Sequence, residues 1–213
     1  MKVAVAGGHG QVAQHLERLL VDRGHAASGL IRNPDHADDL RKVGAEPVLC
    51  DLEAEGDVAA AVSGADAVVF AAGAGPGSGA ARKRSMDLGG ALKLIDAAKA
   101  NGIHRYVIVS AMGASDPPAQ GGDSYGEYLR AKAEADRALA DSGLDFTIVR
   151  PGRLTDDPPT GMVAAGPDVG RGEISRADVA AVLVAALEND GTIGKAFNLV
   201  AGDIPIEDAV KAL

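Results

Sequence analysis

The chain has 213 residues, 46% of them hydrophobic, and 21 Lys and Arg against 30 Asp and Glu give a formal net charge of -9. That length suits one domain with a proper core, and the composition excludes the disordered and fibrous classes. A pI near 5.0 argues against nucleic-acid and anionic-membrane partners, which need a basic surface to displace counterions.

Cys50 is the one cysteine; it can form no intrachain disulfide, lies in an apolar run and reads as buried and inert in a reducing compartment. No stretch approaches the roughly 18 to 20 apolar residues of a membrane span. The run from Met1 to Ala6 is too short for the apolar core of a signal peptide. The expectation is a soluble, cytoplasmic protein. The histidines show no metal spacing: His9 and His15 have no Cys or paired carboxylates around them, so no metal is expected.

In chain order, apolar runs at residues 3–6, 26–31, 47–50, 67–71, 106–109, 146–149 and 196–200 alternate with longer helical patterns. Such alternation means βαβ units and a doubly wound parallel sheet of about six or seven strands, with helices on both faces. The runs lack in/out alternation, as strands covered on both faces should. The first helix carries Val12, Leu16, Leu19 and Leu20 on one stripe and stops at Gly24. A later helix places Leu88, Ala91, Leu92 and Ile95 on one face. Glycine and proline cluster at residues 73–79, 113–126 and 151–172, each after a strand's carboxyl end, where such a sheet keeps its ligands. Residues 1–213 read as a single nucleotide-binding domain. Residues 151–213, with a strand and two short helices, form a small substrate-side extension, so the pocket must be built mainly from loops.

Between the first strand and first helix stands Gly7-x-x-Gly10-x-x-Ala13. Gly7 allows the tight turn, Gly10 lets backbone amides approach a pyrophosphate, and Ala13 permits close helix packing; His9, Gln11 and Val12 share the turn. The second strand ends in Leu30-Ile31-Arg32-Asn33, with no acid to bond a ribose 2'-hydroxyl and repel a 2'-phosphate. Arg32 offers a planar fork of donors, so NADP(H) is expected over NAD(H). At the third strand's end, Asp51, beside Leu52, either accepts from the adenine amino group or caps the turn.

With these residues the chain resembles the atypical short-chain dehydrogenase/reductases of Rossmann fold, in the NAD(P)H-binding, epimerase/dehydratase-like group. The resemblance spans nearly the whole chain and includes Val69-Phe70-Ala71-Ala72-Gly73, Val107-Ile108-Val109-Ser110, Tyr128-Leu129-Arg130-Ala131-Lys132 and Val149-Arg150-Pro151-Gly152. It implies that Ala71, Ala72 and Gly73 line the ribose and nicotinamide side and that Pro151 and Gly152 sit against the nicotinamide. It also implies that Lys132 holds the nicotinamide ribose.

Four residues apart on a helix, Tyr128 and Lys132 share one face, and a nearby ammonium favours phenolate, so the pair is the candidate proton donor or acceptor. The alternative is a tyrosine packed on the sheet beside a snorkelling lysine. Related enzymes place a hydroxyl helper where this chain has Met112, which leaves Ser110 as the candidate orienting hydroxyl or a serine that merely closes the strand. Arg82-Lys83-Arg84 reads as a solvated charge run, with attraction of an acidic substrate as the alternative.

The reading is an NADP(H)-dependent oxidoreductase passing hydride to or from a small carbonyl, alcohol or electron-accepting ring, working as a monomer or homodimer. The alternatives are a non-catalytic NADP(H) sensor and a flavin-type reductase without a tyrosine acid.

Overall fold

The computed structural model describes residues 1–54, 56–75, 77–119 and 123–213. The first half winds β1 (Lys2–Ala6), α1 (Gln11–Asp22), β2 (Ala26–Ile31), α2 (Ala37–Lys42) and β3 (Glu46–Leu49), then α3 (Val58–Ala61) and β4 (Ala67–Phe70). There follow α4 (Ala80–Arg82), a π-helical segment (Lys83–Gly90), α5 (Ala91–Ala100), β5 (Arg105–Val109), α6 (Ser124–Ala140) and β6 (Asp145–Pro151). The remainder is β7 (Arg153–Thr155), β8 (Met162–Gly166), β9 (Glu173–Ser175), α7 (Arg176–Leu187), β10 (Lys195–Ala201), β11 (Ile204–Pro205) and α8 (Ile206–Lys211). No helix among the described residues is long and apolar enough to cross a membrane.

The main sheet has nine strands in the order β11-β8-β10-β6-β5-β4-β1-β2-β3. From β3 through β10 every neighbouring pair is parallel; β8 pairs antiparallel with β10 and with β11. Burial explains the missing alternation: all four residues of β4 are buried because both faces are covered. On one face Leu16 and Leu20 of α1 and Leu183 of α7 join Val5 and Val69; on the other Leu94 of α5 and Leu139 of α6 join Phe70 and Ile108. The strand order reverses between β1 and β4, which opens the crevice where such sheets bind ligands.

Two details depart from the sequence reading. The sheet has nine strands, not six or seven, because the segment after Pro151 adds β8 and β11 to its edge and forms the separate pair β7-β9. Those strands have two to five residues, too short or too rich in alanine and glycine to show a period. In the helix ending at Ala100, Leu94 is buried and Leu92 is exposed. The preceding π-helical segment makes a wider turn and shifts the phase of the stripe.

Behind the first turn, β1 and β2 approach at Gly8 and Gly29: a Cβ on Gly8 would lie 2.6 Å from Gly29 Cα and 2.9 Å from Glu17 Oε1. Glu17 of α1 is fully buried there, and neither of its carboxyl oxygens has a partner among the described residues. Burial pushes its pKa up to about 8, so the neutral acid is the form the fold accepts.

Two outcomes follow from this packing. Gly8→Ala drives a methyl into backbone and should cost about 1–3 kcal/mol in urea unfolding. Because Glu17 titrates higher folded than unfolded, its contribution is fully present below the unfolded carboxyl pKa and is lost as pH rises toward 8. Stability should decline by up to about 1.4 kcal/mol per pH unit in that window. Glu17→Gln removes this dependence, and unfolding midpoints at pH 5.5 and 8 that differ as much in the variant as in the parent would refute it.

Candidate functional site

At the carboxyl end of β1 the chain turns on Gly7, whose φ is +82° and whose Cβ, if present, would lie 2.7 Å from Ala72 Cα. The Gly10 amide closes the turn by donating to Gly7 O at 2.7 Å. Gly10 then caps α1 with no side-chain acceptor, and the first helical turn contains no acid. The opening amides of α1 therefore meet no internal anion, and the turn is bare enough for another group to reach them. This cradle fits a dinucleotide pyrophosphate. Gln11 points across to Asp156, with Nε2 3.3 Å from Oδ1, and Val12 lines the larger cleft described below.

To one side a cleft of about 200 Å³ is lined by Gly7, Gly10, Arg32, Asp51 and Leu52, among others. Arg32 is 54% exposed, its Nη1 3.4 Å from Glu53 Oε2. Arg82 shares that oxygen at 3.2 Å, and Ser85 donates to Glu53 Oε1 at 2.7 Å. Two guanidinium groups thus stand on one carboxylate at the rim. Asp51 Oδ1 accepts from the Glu53 amide at 2.9 Å, the turn-capping role of the two weighed for it, while the residue still lines the cleft. His9 stacks on His36 with centroids 3.6 Å apart, its Nε2 3.1 Å from Asp39 Oδ2. Cys50, expected to be buried, is half-buried and lines this cleft, because β3 ends at Leu49 and the chain turns outward.

Ala72 and Gly73 are shared with a second cleft of about 780 Å³. Into it the fold brings Ala71 after β4, Ser110 and Met112 after β5, Tyr128 and Lys132 from α6, and Pro151 and Gly152 at the end of β6. Gly152 packs directly on Gly172 O, a place no Cβ could occupy. All the sequence-predicted residues therefore fall on these two joined clefts or, in Gln11, at their border.

The electrostatics differ from the expectation for Tyr128 and Lys132. Lys132 is 3% exposed; its Nζ donates to Val109 O at 3.0 Å and lies 3.4 Å from Oδ1 of the fully buried Asp87. It also stands 5.9 Å from the Tyr128 ring centroid. The ammonium is therefore largely answered by Asp87, and the Tyr128 phenol is pushed well up, first by burial and then by the Asp87 charge. It stays a neutral phenol at physiological pH, not a phenolate.

Ser110 is buried, and among the described residues its hydroxyl has no partner at hydrogen-bonding geometry. It neighbours Asp136, whose carboxyl burial raises while Ser110 and Arg150 draw it down; Arg150 Nε donates to Asp136 Oδ2 at 2.9 Å.

Asp87 is the main residue that sequence reasoning missed. Its signal was present: it lies four and seven residues before the buried Ala91 and Leu94, an acid on an apolar helix face. Its Oδ2 accepts from the Ala74 amide at 3.2 Å. The triplet Arg82-Lys83-Arg84 divides three ways: Arg82 to the smaller cleft, Lys83 to the larger, and Arg84 to surface pairs with Glu127 and Glu134.

Comparison with known proteins agrees with this geometry. The family model described as NAD(P)H-binding matches residues 7–190. The chain is 41% identical to an uncharacterized sugar epimerase, YhfK, of Bacillus subtilis (strain 168), over 100% of both chains. Among solved structures, a provisional NAD-dependent epimerase/dehydratase from Bacillus halodurans superposes with a TM-score of 0.94, 41% identity and 100% coverage of both chains. The oxidoreductase ylbE from Lactococcus lactis follows with a TM-score of 0.87 and 25% identity, over 100% of this chain and 96% of that one. With its cradle at Gly7 and Gly10, its strand order and a family match over most of its length, the chain belongs to the NAD(P)H-binding family of Rossmann-like, short-chain dehydrogenase/reductase-type proteins.

Proposed function

We propose that the protein is a cytoplasmic NADP(H)-dependent reductase acting on a small carbonyl compound or electron-accepting ring, with Tyr128 as proton donor. The observation that carries this reading is the half-buried Tyr128 phenol, protonated at physiological pH, on the same cleft as Lys132 and Gly152. When bound, the reduced nicotinamide supplies a hydride. The work of the chain is to orient that ring, keep water away and deliver a proton.

In this reading the bare turn and the opening amides of α1 hold the pyrophosphate, while Arg32, supported by Arg82, receives the 2'-phosphate as a charge-assisted fork. Glu53 keeps both guanidinium groups in place. Lys132, anchored by Asp87 and Val109 O, fixes the ribose end. Pro151, Gly152 and Ala71 to Gly73 form the close walls that a flat ring needs. A phenol raised in this way keeps its proton at physiological pH until a stronger base forms beside it, so in the reduction direction the Tyr128 proton passes to the more basic developing alkoxide, and solvent returns it.

A second reading, reduction of a ring without a protein acid, draws support from Met112. That residue stands on the cleft where a hydroxyl helper would be expected, and the Ser110 hydroxyl is buried beside Asp136.

Tyr128→Phe should lower turnover by about 100-fold or more while NADPH affinity stays within about twofold. Turnover unchanged in that variant would favour the acid-free reading. Arg32→Gln should weaken NADPH about tenfold or more and leave NADH nearly unchanged, as followed by nicotinamide fluorescence; equal loss for both cofactors would remove Arg32 from the 2'-phosphate.

A further inference from the structure

The mouth of the larger cleft reverses the sign of the whole molecule. The chain carries 30 acidic against 21 basic residues, yet the cleft is lined by Lys83, Arg153, Arg171 and Arg176 in addition to Lys132, with Asp87 as its acid. Asp87 is fully buried against Lys132, so it does not offset the charge at the opening.

Two of the four outer cations are already answered. Arg153 pairs with Glu173 on the neighbouring strand β9. Arg176 pairs at 2.7 Å with Asp156, which also takes the Gln11 amide and so belongs to the pyrophosphate side.

Lys83 and Arg171 are different. Lys83 Nζ donates to neutral oxygens, Ser124 O at 2.6 Å and Ser124 Oγ at 2.5 Å, and faces the Tyr128 ring at 6.0 Å. Arg171 is exposed and has no carboxylate in ion-pair range among the described residues. The same cleft also presents the apolar side chains of Met112, Leu129 and Leu154. Such a cleft suits a molecule with an apolar body and an anionic end, since polar groups at a few points fix the orientation of a ligand whose body is buried against apolar walls.

We propose that the substrate is an acidic carbonyl or ring compound whose carboxylate or phosphate is received at the mouth by Arg171 and Lys83, with its apolar body against Met112, Leu129 and Leu154. This rests on the reductase reading for the reaction, though the anion-binding part stands without it. A guanidinium fork matches either oxyanion, and the lysine adds a point charge. The local positive field also draws an anion toward a protein whose overall charge would repel it.

The test is calorimetric titration with 4-formylbenzoate, 4-formylphenyl phosphate and methyl 4-formylbenzoate, each with and without saturating NADPH. At least one acid should bind about tenfold tighter than the neutral ester, and comparison of the two acids tells carboxylate from phosphate. Arg171→Gln and Lys83→Gln should each weaken the acid about fivefold to tenfold and leave the ester unchanged, with unaltered melting of both variants as the folding control. Acid and ester binding equally, neither acid binding up to millimolar concentration, or variants indistinguishable from the parent would each overturn the proposal. Acid bound through Arg171 in a protein that binds no NADPH would uphold the anion site and remove the reductase reading.

Discussion

The whole site depends on backbone meeting backbone without intervening Cβ atoms at the carboxyl ends of three adjacent strands. Gly7 at the end of β1 lies against Ala72 beyond β4, and Gly8 lies against Gly29 of β2. Side chains at Gly7 or Gly8 would force these ends apart, and with them the turn that presents α1. The same closeness leaves both clefts sharing Ala72 and Gly73, so a single extended molecule can lie across the reversal of strand order. Glu17 sits beneath this junction, and its carboxyl occupies the space that the absent methyl groups leave. A proton held on Glu17 is thus part of the packing of the turn, as much as any methyl in the core.

A second constraint governs the chemistry. Lys132 and Asp87 are both buried, and each is the other's main electrostatic answer. Two buried charges tolerate little displacement, since separating them leaves an uncompensated ion at a cost of several kcal/mol. The pair therefore works as a fixed post behind the cleft. It holds Val109 O on one side and, through Asp87, the Ala74 amide on the other, so the chain segments following β4 and β5 are clamped together. The same arrangement withdraws from Tyr128 the positive charge that would have made it a base.

Much of the fold was legible in the residues. The glycine spacing after β1 and the alternation of short apolar runs with helices reflect local rules that tertiary packing had no reason to override. The edge strands β8 and β11 and the separate pair β7-β9 were less legible, because they are short and set among glycines and prolines that look like loop, and pairing partners rather than periodicity make them strands. The misphased stripe at Leu92 has its cause in a π-helical segment that no hydrophobic pattern announces. At the site, the residue types at Tyr128 and Lys132 were readable, but the charge between them was not. Whether a lysine activates a phenol depends on what else that lysine touches, and Asp87 comes from an element more than forty residues away in sequence. Lys83 and Arg171 illustrate the same limit: only the fold separates a cation facing a cleft from one paired at the surface, as Arg84 is.

The two outer edges of the sheet have their own consequence. One edge is β3, four residues long with Pro47 inside it, and the other is β11, two residues long and ending in Pro205. Proline offers no amide to a newcomer, and strands this short give little length for pairing. A second molecule therefore gains almost nothing by continuing the sheet, which guards the chain against edge-to-edge stacking into fibres. Any lasting self-association must be made through helices or loops, because neither rim of the sheet offers a strand to pair with.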